Sequence, residues 1–288
     1  ALETYLAQKG SNKGKTFHAA AQRACAYLVE AAGAKDLADY SRTDALKYRD
    51  YLIAKDMAGS SVSRVISSIR AVMNFAISEY ALDLKNPFVG MYHDRLAGVS
   101  KRLPIPIEDI RKVQQQCLSL DDDLRWLVAL VSDTGMRLAE VSGLLKTDII
   151  LDEDIPFIRV QPHSWRKLKT AGSERDVPLV GVSLWAAQRL LDADPDSGYA
   201  FPRYNKTTIT NANSASAALN KWLHPYVPNG CTMHSFRHSM RDRLRAVECP
   251  ADVVDQIGGW TTGGVGQGYG SGYSLEVCFR WMKKMEEK

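Results

Sequence analysis

Asp133-Thr134-Gly135-Met136-Arg137-Leu138-Ala139-Glu140-Val141-Ser142-Gly143-Leu144-Leu145 contains a helix end, a turn and a helix start. Gly135 breaks the helix before it, and Leu138, Val141 and Leu145 recur at three- and four-residue spacing as the buried face of the helix after it. Arg137 falls where a new helix leaves backbone N–H groups unpaired, a place that favours an anion. Glu140, one turn on, can orient that guanidinium. Alone, the pair reads first as an ordinary helix-start salt bridge.

Upstream, the text is helical. Phe17, Ala20, Ala24 and Leu28 are spaced for one helix, with Gly33 as its stop. Ser41 with Asp44 forms a capping pair ahead of Ala45, Tyr48 and Leu52. A third helix begins near Ser60 or Ser61 and buries Val62, Val65, Ile66, Ile69, Val72 and Ala76, leaving Ser63, Arg64, Ser67 and Arg70 on its other face. The stretch Leu96-Ala97-Gly98-Val99-Ser100-Lys101-Arg102-Leu103-Pro104-Ile105-Pro106 reads as an interdomain linker. Helices from Ile107 to Cys117 and from Leu124 to Val131 follow, with Asp121-Asp122-Asp123 as an N-terminal cap rather than a metal site. Ile155–Val160 and Asp176–Val180 are β-branched and read as antiparallel strands with a long turn around Lys167–Ser173. Helices resume near Leu184. The predicted fold is mainly α (α+β): an all-helical domain over 1–95, a linker over 96–106, and over 107–288 a mostly helical domain with a small antiparallel sheet.

Composition narrows the function. The chain has 288 residues, 45% hydrophobic and 24% charged, the values of an ordinary folded protein of one large or two modest domains. It has neither a membrane-length apolar run nor a charged-then-apolar leader, which predicts no membrane partner. Cys25, Cys117, Cys231, Cys249 and Cys278 are scattered without CxxC spacing, so reduced thiols in a cytoplasm are expected. Residues 1–103 carry 15 Lys+Arg against 10 Asp+Glu, while the remainder carries 22 against 23. A basic first third suits nucleic acid.

Three further segments could carry chemistry. In His234-Ser235-Phe236-Arg237-His238, His234 and Arg237 share a helix face and offer an imidazole beside a permanent guanidinium. His238 reads as a structural histidine that caps or packs. Arg166, Lys167 and Lys169 occupy the turn between the strands, where a lysine is either solvated or delivered into a DNA groove. After Gln256-Ile257-Gly258-Gly259-Trp260 comes a run with glycine at 263, 264, 266, 268, 270 and 272, and in it Tyr269, with Tyr273 four residues later.

In their order, Arg137, Lys169, His234, Arg237, Trp260 and Tyr269 resemble the tyrosine recombinases, also called the phage integrase family. Thr134–Val141, Leu168-Lys169-Thr170 with Arg175–Leu179, His234–Ser239, and Ile257–Trp260 with Tyr269 nine residues later carry the resemblance. Residues 11–90 resemble the family's helical core-binding domain. Many members have histidine where Trp260 stands, and tryptophan is also accepted there. Several carry a separate arm-binding domain, and none precedes residue 11 in this sequence. The nine-residue offset favours Tyr269 over Tyr273 as nucleophile.

The resemblance implies a site-specific DNA recombinase that needs no cofactor and no metal. Tyr269 would attack the scissile phosphate and keep the 3′ phosphate, Arg137 and Arg237 would hold the non-bridging oxygens, and Lys169 would protonate the leaving 5′ oxygen. His234 would assist Tyr269, Trp260 would donate its indole N–H, and Glu140 and His238 would support. Arg64, Arg70, Lys101, Arg102, Arg166 and Lys167 are the candidate DNA contacts. The implied partners are a specific duplex DNA site, a homo-tetramer on that DNA and an accessory bending or directionality protein, in the cytoplasm and nucleoid of a bacterial host. A chromosome-dimer resolvase or a transposon or cassette recombinase would share this chemistry. A DNA-binding relative without catalysis is the reading from another class. The apolar stripe Val277, Cys278, Trp281, Met282 and Met285 fits either the protein's own core or a neighbouring subunit.

Overall fold

The computed structural model describes residues 1–100, 102–193, 197–206, 209–260 and 272–288, and divides into two compact units, Ala1–Lys101 and Arg102–Lys288. The first is all-helical among the described residues: α1 (Leu2–Lys9), α2 (Lys15–Ala32), α3 (Arg42–Ala54) and α4 (Gly59–Glu79), with a 3₁₀ turn at Leu37–Asp39. Ser41 accepts from the Asp44 backbone N–H while Asp44 accepts from that of Ser41, so the capping box starts α3 as the sequence predicts. Ala24 and Leu28 of α2, Tyr48 and Leu52 of α3, and Val62, Ile66 and Ile69 of α4 form one core. The Tyr48 hydroxyl donates to the Ala24 carbonyl (3.0 Å), satisfying the one polar atom that this ring buries. Arg42 donates to the carbonyls of Pro87, Val89 and Gly90 and ties the chain after α4 to the start of α3.

The second unit is built around α6 (Asp123–Thr134), in which every residue from Leu127 to Thr134 is buried. An all-round apolar helix needs partners on all sides, and α5 (Ile107–Leu120), α8 (Gly181–Asp192) and α10 (Ser235–Ala246) supply them. Asp122 caps α6 through the Arg125 N–H, while Asp121 ends α5 in a left-handed conformation. β1 (Ile149–Ile150), β2 (Phe157–Val160) and β3 (Arg175–Pro178) form an antiparallel sheet in that order, with Phe157 opposite Pro178 and Val160 opposite Arg175. A second hairpin, β4 (Asn205–Lys206) with β5 (Ile209–Thr210), has no counterpart in the sequence reading. Its strands are too short to show alternation. α7 (Leu138–Ser142), α9 (Ala212–Leu223), α11 (Ala251–Gly258) and α12 (Leu275–Glu287) complete the unit. The stripe on α12 packs at home: Cys278, Met282 and Met285 are buried in the same core as α6, with Val277 and Trp281 against it. Among the described residues no helix is long and apolar enough to cross a membrane.

Candidate active site

Gly135 makes the turn out of α6. It takes a left-handed φ of 58°, and a Cβ there would lie 2.7 Å from the Met240 Cε and 3.0 Å from its Cβ. The turn exposes the Gly135 carbonyl, which accepts from Arg237 Nη1 (2.9 Å), and places Arg137 at the N-terminus of α7.

Arg137 and Glu140 hold each other. The Glu140 carboxylate accepts from the Arg137 backbone N–H (2.9 Å) and from its Nη1 (2.6 Å), as predicted from their spacing. Sequence reasoning did not foresee what lies behind: Glu140 is buried and also accepts from Arg175 Nη2 (3.0 Å). Arg175 in turn donates to the carbonyls of Ile257 (2.8 Å) and Ser173 (2.6 Å). Burial alone would raise the Glu140 pKa, but Arg175 above all, and then Arg137, outweigh it and hold the carboxyl below its usual range. Arg175 belongs to the stretch Arg175–Leu179 that carries the family resemblance, but no role follows from it there, because the burial of its side chain is not visible in its sequence neighbours.

The two predicted phosphate-binding arginines converge on adjacent carbonyls. Arg137 Nη2 donates to Gly259 O (3.1 Å), and Arg237 Nη2 donates to Gly258 O. The Arg237 side chain is almost fully buried. Burial first, then the neighbouring Arg137 and Arg175, push its pKa down, yet a guanidinium stays protonated at neutral pH. Among the described residues, Arg137 and Arg175 both bond the Glu140 carboxylate, and Arg237 lies close enough to feel their charge and that of Glu140. Among the described residues the Nε–H groups of Arg137 and Arg237 have no partner, so donors remain for an anion.

Trp260 lies against this pair in a way its indole N–H did not suggest. The Arg237 guanidinium stands 4.1 Å from the ring centroid and that of Arg241, one helical turn further along α10, stands 4.7 Å away. Arg241 is paired with Asp255 (3.0 Å), whose carbonyl also accepts from the Trp260 backbone N–H (2.9 Å). The ring thus presents its negative face to two cations and keeps Arg237 from swinging away. The i, i+4 spacing of Arg237 and Arg241 was the available signal.

His234 precedes α10 and keeps part of its surface exposed. Burial of the rest, then the charges of Arg102, His238, Arg237 and Lys169, lower its pKa from 6.5 to about 4. The imidazole is neutral at pH 7. In the free protein its Cε1 proton resonance should therefore titrate near about 4, and Arg102→Gln should move that midpoint upward. A phosphate seated beside it should do the same, because an anion offsets those cations. A midpoint of 6 or above in the unliganded protein would contradict this electrostatic picture. His238 is not the packed histidine expected: it is exposed, with its ring edge-on to His234 at 5.5 Å, because its side of α10 faces away from the core.

Lys167 and Lys169 are exposed in the turn after β2, and Arg102 is exposed on the rim of a cleft of about 320 Å³ that Met136, Leu138 and His234 also line. Arg64 and Arg70 are exposed on α4 of the first unit. Arg166 departs from the expectation. It is 3% exposed and donates to the carbonyls of Glu140 (2.7 Å) and Gln161 (2.5 Å), so it is no DNA contact. Lys101 and Tyr269, with the glycine run up to Gly270, lie outside the described residues. The rival Tyr273 is described: its hydroxyl donates to Asp252, which raises the phenol pKa, and its backbone is held by Gln256 on both sides.

A sequence model of the phage integrase family matches residues 107–270, more than half of the chain. The chain belongs to the phage integrase family. Several solved structures share its fold. The Tn1549 transposon integrase in complex with circular intermediate DNA is 16% identical, with a TM-score of 0.71 over 98% of this chain and 97% of that one. A lambda integrase tetramer bound to a Holliday junction is 13% identical, with a TM-score of 0.69 over 93% of this chain and 74% of that one. A lambda integrase dimer bound to a COC′ core site is 12% identical, at 0.69 over 93% and 75%. At these identities the likeness is one of fold. No curated protein sequence matches. The matched span of this integrase-family chain contains all six positions of the sequence reading, from Arg137 to Tyr269.

Proposed function

We propose that this chain, by family a site-specific tyrosine recombinase, breaks and rejoins duplex DNA with Tyr269 as its nucleophile. The observation that carries the reading is the convergence of Arg137 and Arg237 on the adjacent carbonyls of Gly259 and Gly258, with their Nε–H groups unpartnered among the described residues. Two guanidinium groups held side by side match the non-bridging oxygens of a phosphodiester, and their charge surplus grows in value as the phosphorus becomes five-coordinate.

The Tyr269 oxygen bonds to phosphorus as the bond to the 5′ oxygen breaks. The neutral His234 takes the phenol proton, for which its lowered pKa keeps it unprotonated. Lys169 gives a proton to the 5′ oxygen, which leaves as a hydroxyl. The 3′-phosphotyrosine keeps the energy of the broken ester, so that the 5′ hydroxyl of a partner strand can reverse the step without a nucleotide cofactor. Tyr273 is a poorer nucleophile, since its hydroxyl is engaged by Asp252 and its proton is harder to remove.

The helical unit, residues 1–95 in the sequence reading, supplies DNA contacts from the exposed Arg64 and Arg70, and residues 107–288 carry the catalysis. Lys101, Arg102 and Lys167 add phosphate contacts, which position the duplex and make binding salt-dependent. The similar lambda integrase structure is a tetramer on a Holliday junction, which supports a homo-tetramer here, with an accessory bending or directionality protein deciding the outcome.

Covalent trapping tests the reading. The protein is incubated with sheared genomic DNA of its source, quenched with detergent, and the attached DNA is sequenced. Attachment at a recurring site is expected for the wild type and for Tyr273→Phe, and none for Tyr269→Phe. Attachment that survives Tyr269→Phe but not Tyr273→Phe would move the nucleophile, and none from any variant would leave binding alone.

A further inference from the structure

The buried guanidinium of Arg166 has no place in the chemistry just described. It lies three residues before Lys169, at the end of a tight turn in which the His163 N–H donates to the Arg166 carbonyl (3.0 Å) and the Arg166 N–H to the His163 carbonyl (3.1 Å). That turn is fastened. His163 pairs with the fully buried Asp148 (2.8 Å) and stacks on Trp165, whose indole donates to the Gly143 carbonyl (3.3 Å). Arg166 itself reaches under α7 to the carbonyl of Glu140, the residue that holds Arg137.

The space for that reach depends on the absence of a side chain. A Cβ on Gly143 would stand 2.6 Å from Arg166 Cδ and 2.8 Å from Thr210 Oγ1. On the other side of Lys169, the Thr170 hydroxyl is bonded to the Ser173 hydroxyl (2.8 Å), and Ser173 accepts from Arg137 Nη1 (3.0 Å). Lys169 itself is exposed. An exposed lysine has many rotamers, but the backbone that carries it is tied at both ends to the Arg137–Glu140 pair.

We infer that Arg166 is a positioning residue, which fixes the Lys169 turn to α7 so that the ammonium and the Arg137 guanidinium meet the same phosphate in register. The inference rests on the reading of Lys169 as the proton donor to the 5′ oxygen. Displacing a donor by an ångström costs rate without costing DNA affinity, and it costs nothing when the leaving group needs no proton.

The test uses that last property. Two duplexes carry the site recovered by covalent trapping, one with the natural 5′ oxygen at the scissile phosphate and one with sulfur in its place. Attack by Tyr269 on the second forms the O–P bond, breaks P–S and releases a thiolate with its electron pair, stable without protonation because thiols are far more acidic than alcohols. Lys169→Ala should lose roughly 10²–10⁴-fold on the oxygen duplex and recover on the sulfur one. Arg166→Met, which keeps the aliphatic stem but none of the donors, should lose about tenfold or more on oxygen and stay within about threefold of wild type on sulfur. Arg166→Lys carries the same comparison if the methionine variant does not fold. Equal losses on both duplexes, or wild-type rates on oxygen, overturn the role of Arg166 while Lys169→Ala is still rescued. Failure of sulfur to rescue Lys169→Ala instead removes the proton-donor reading beneath it.

Discussion

Arg237→Lys is expected to slow single-turnover cleavage by about 10²- to 10³-fold while leaving DNA affinity within a few-fold. The guanidinium is committed in three directions: to the carbonyl of Gly135, to that of Gly258, and across the face of Trp260 at 4.1 Å. Its planar fork makes those contacts and still leaves N–H groups for a phosphate, which the single nitrogen of lysine cannot do. A lysine this deeply buried also prefers to lose its proton, and two carbonyls would then face a weak donor. Affinity suffers less because most of it comes from phosphate contacts spread over the DNA. The comparison is cleavage rate against binding at several salt concentrations. A variant that cleaves within a few-fold of wild type would mean that Arg237 orders the turn and does not touch the reacting phosphate.

The parts of this site that could be read from sequence are those whose geometry is local. Gly135 followed by Arg137 and Glu140 is a helix stop and a helix start, and the carboxylate holds the guanidinium because three residues on a helix bring them together. Ser41 and Asp44 are of the same kind. Arg166 was misread because a charged residue in a turn is solvated unless something distant makes room for it. What makes room is Gly143, together with carbonyls at 140 and 161 that need donors. Arg175 and Arg241 were passed over for a related reason, as their partners Glu140 and Trp260 lie 35 and 19 positions away along the chain. The α12 stripe stayed ambiguous because amphipathicity states that a face is covered and not by what. Here β3 and α10 cover it.

Glu140→Gln should be the most damaging change to stability within the second unit. The wild-type carboxylate accepts from the Arg137 backbone N–H, from Arg137 Nη1 and from Arg175 Nη2, and among the described residues it is the one anion bonded to either guanidinium. Glutamine keeps the shape but offers one acceptor oxygen, and its amide N–H₂ would face a donor. Removing one member of a buried ion pair costs about 3–5 kcal/mol because the other charge stays buried and unmatched. Here two arginines are stranded. The melting temperature of the unit should fall by roughly 10 °C. The pH dependence separates this account from simple packing loss. Glu140 has a folded pKa below its unfolded value, so its stabilisation is present above about 4.3 and is lost as pH falls through the lower folded value. The gap between wild type and Glu140→Gln, measured by thermal melts from pH 7 downward, should hold above about pH 5 and then close. A gap that stays constant through the acid range would show that the two forms differ in packing alone, and that Arg137 does not owe its place to the charge behind it.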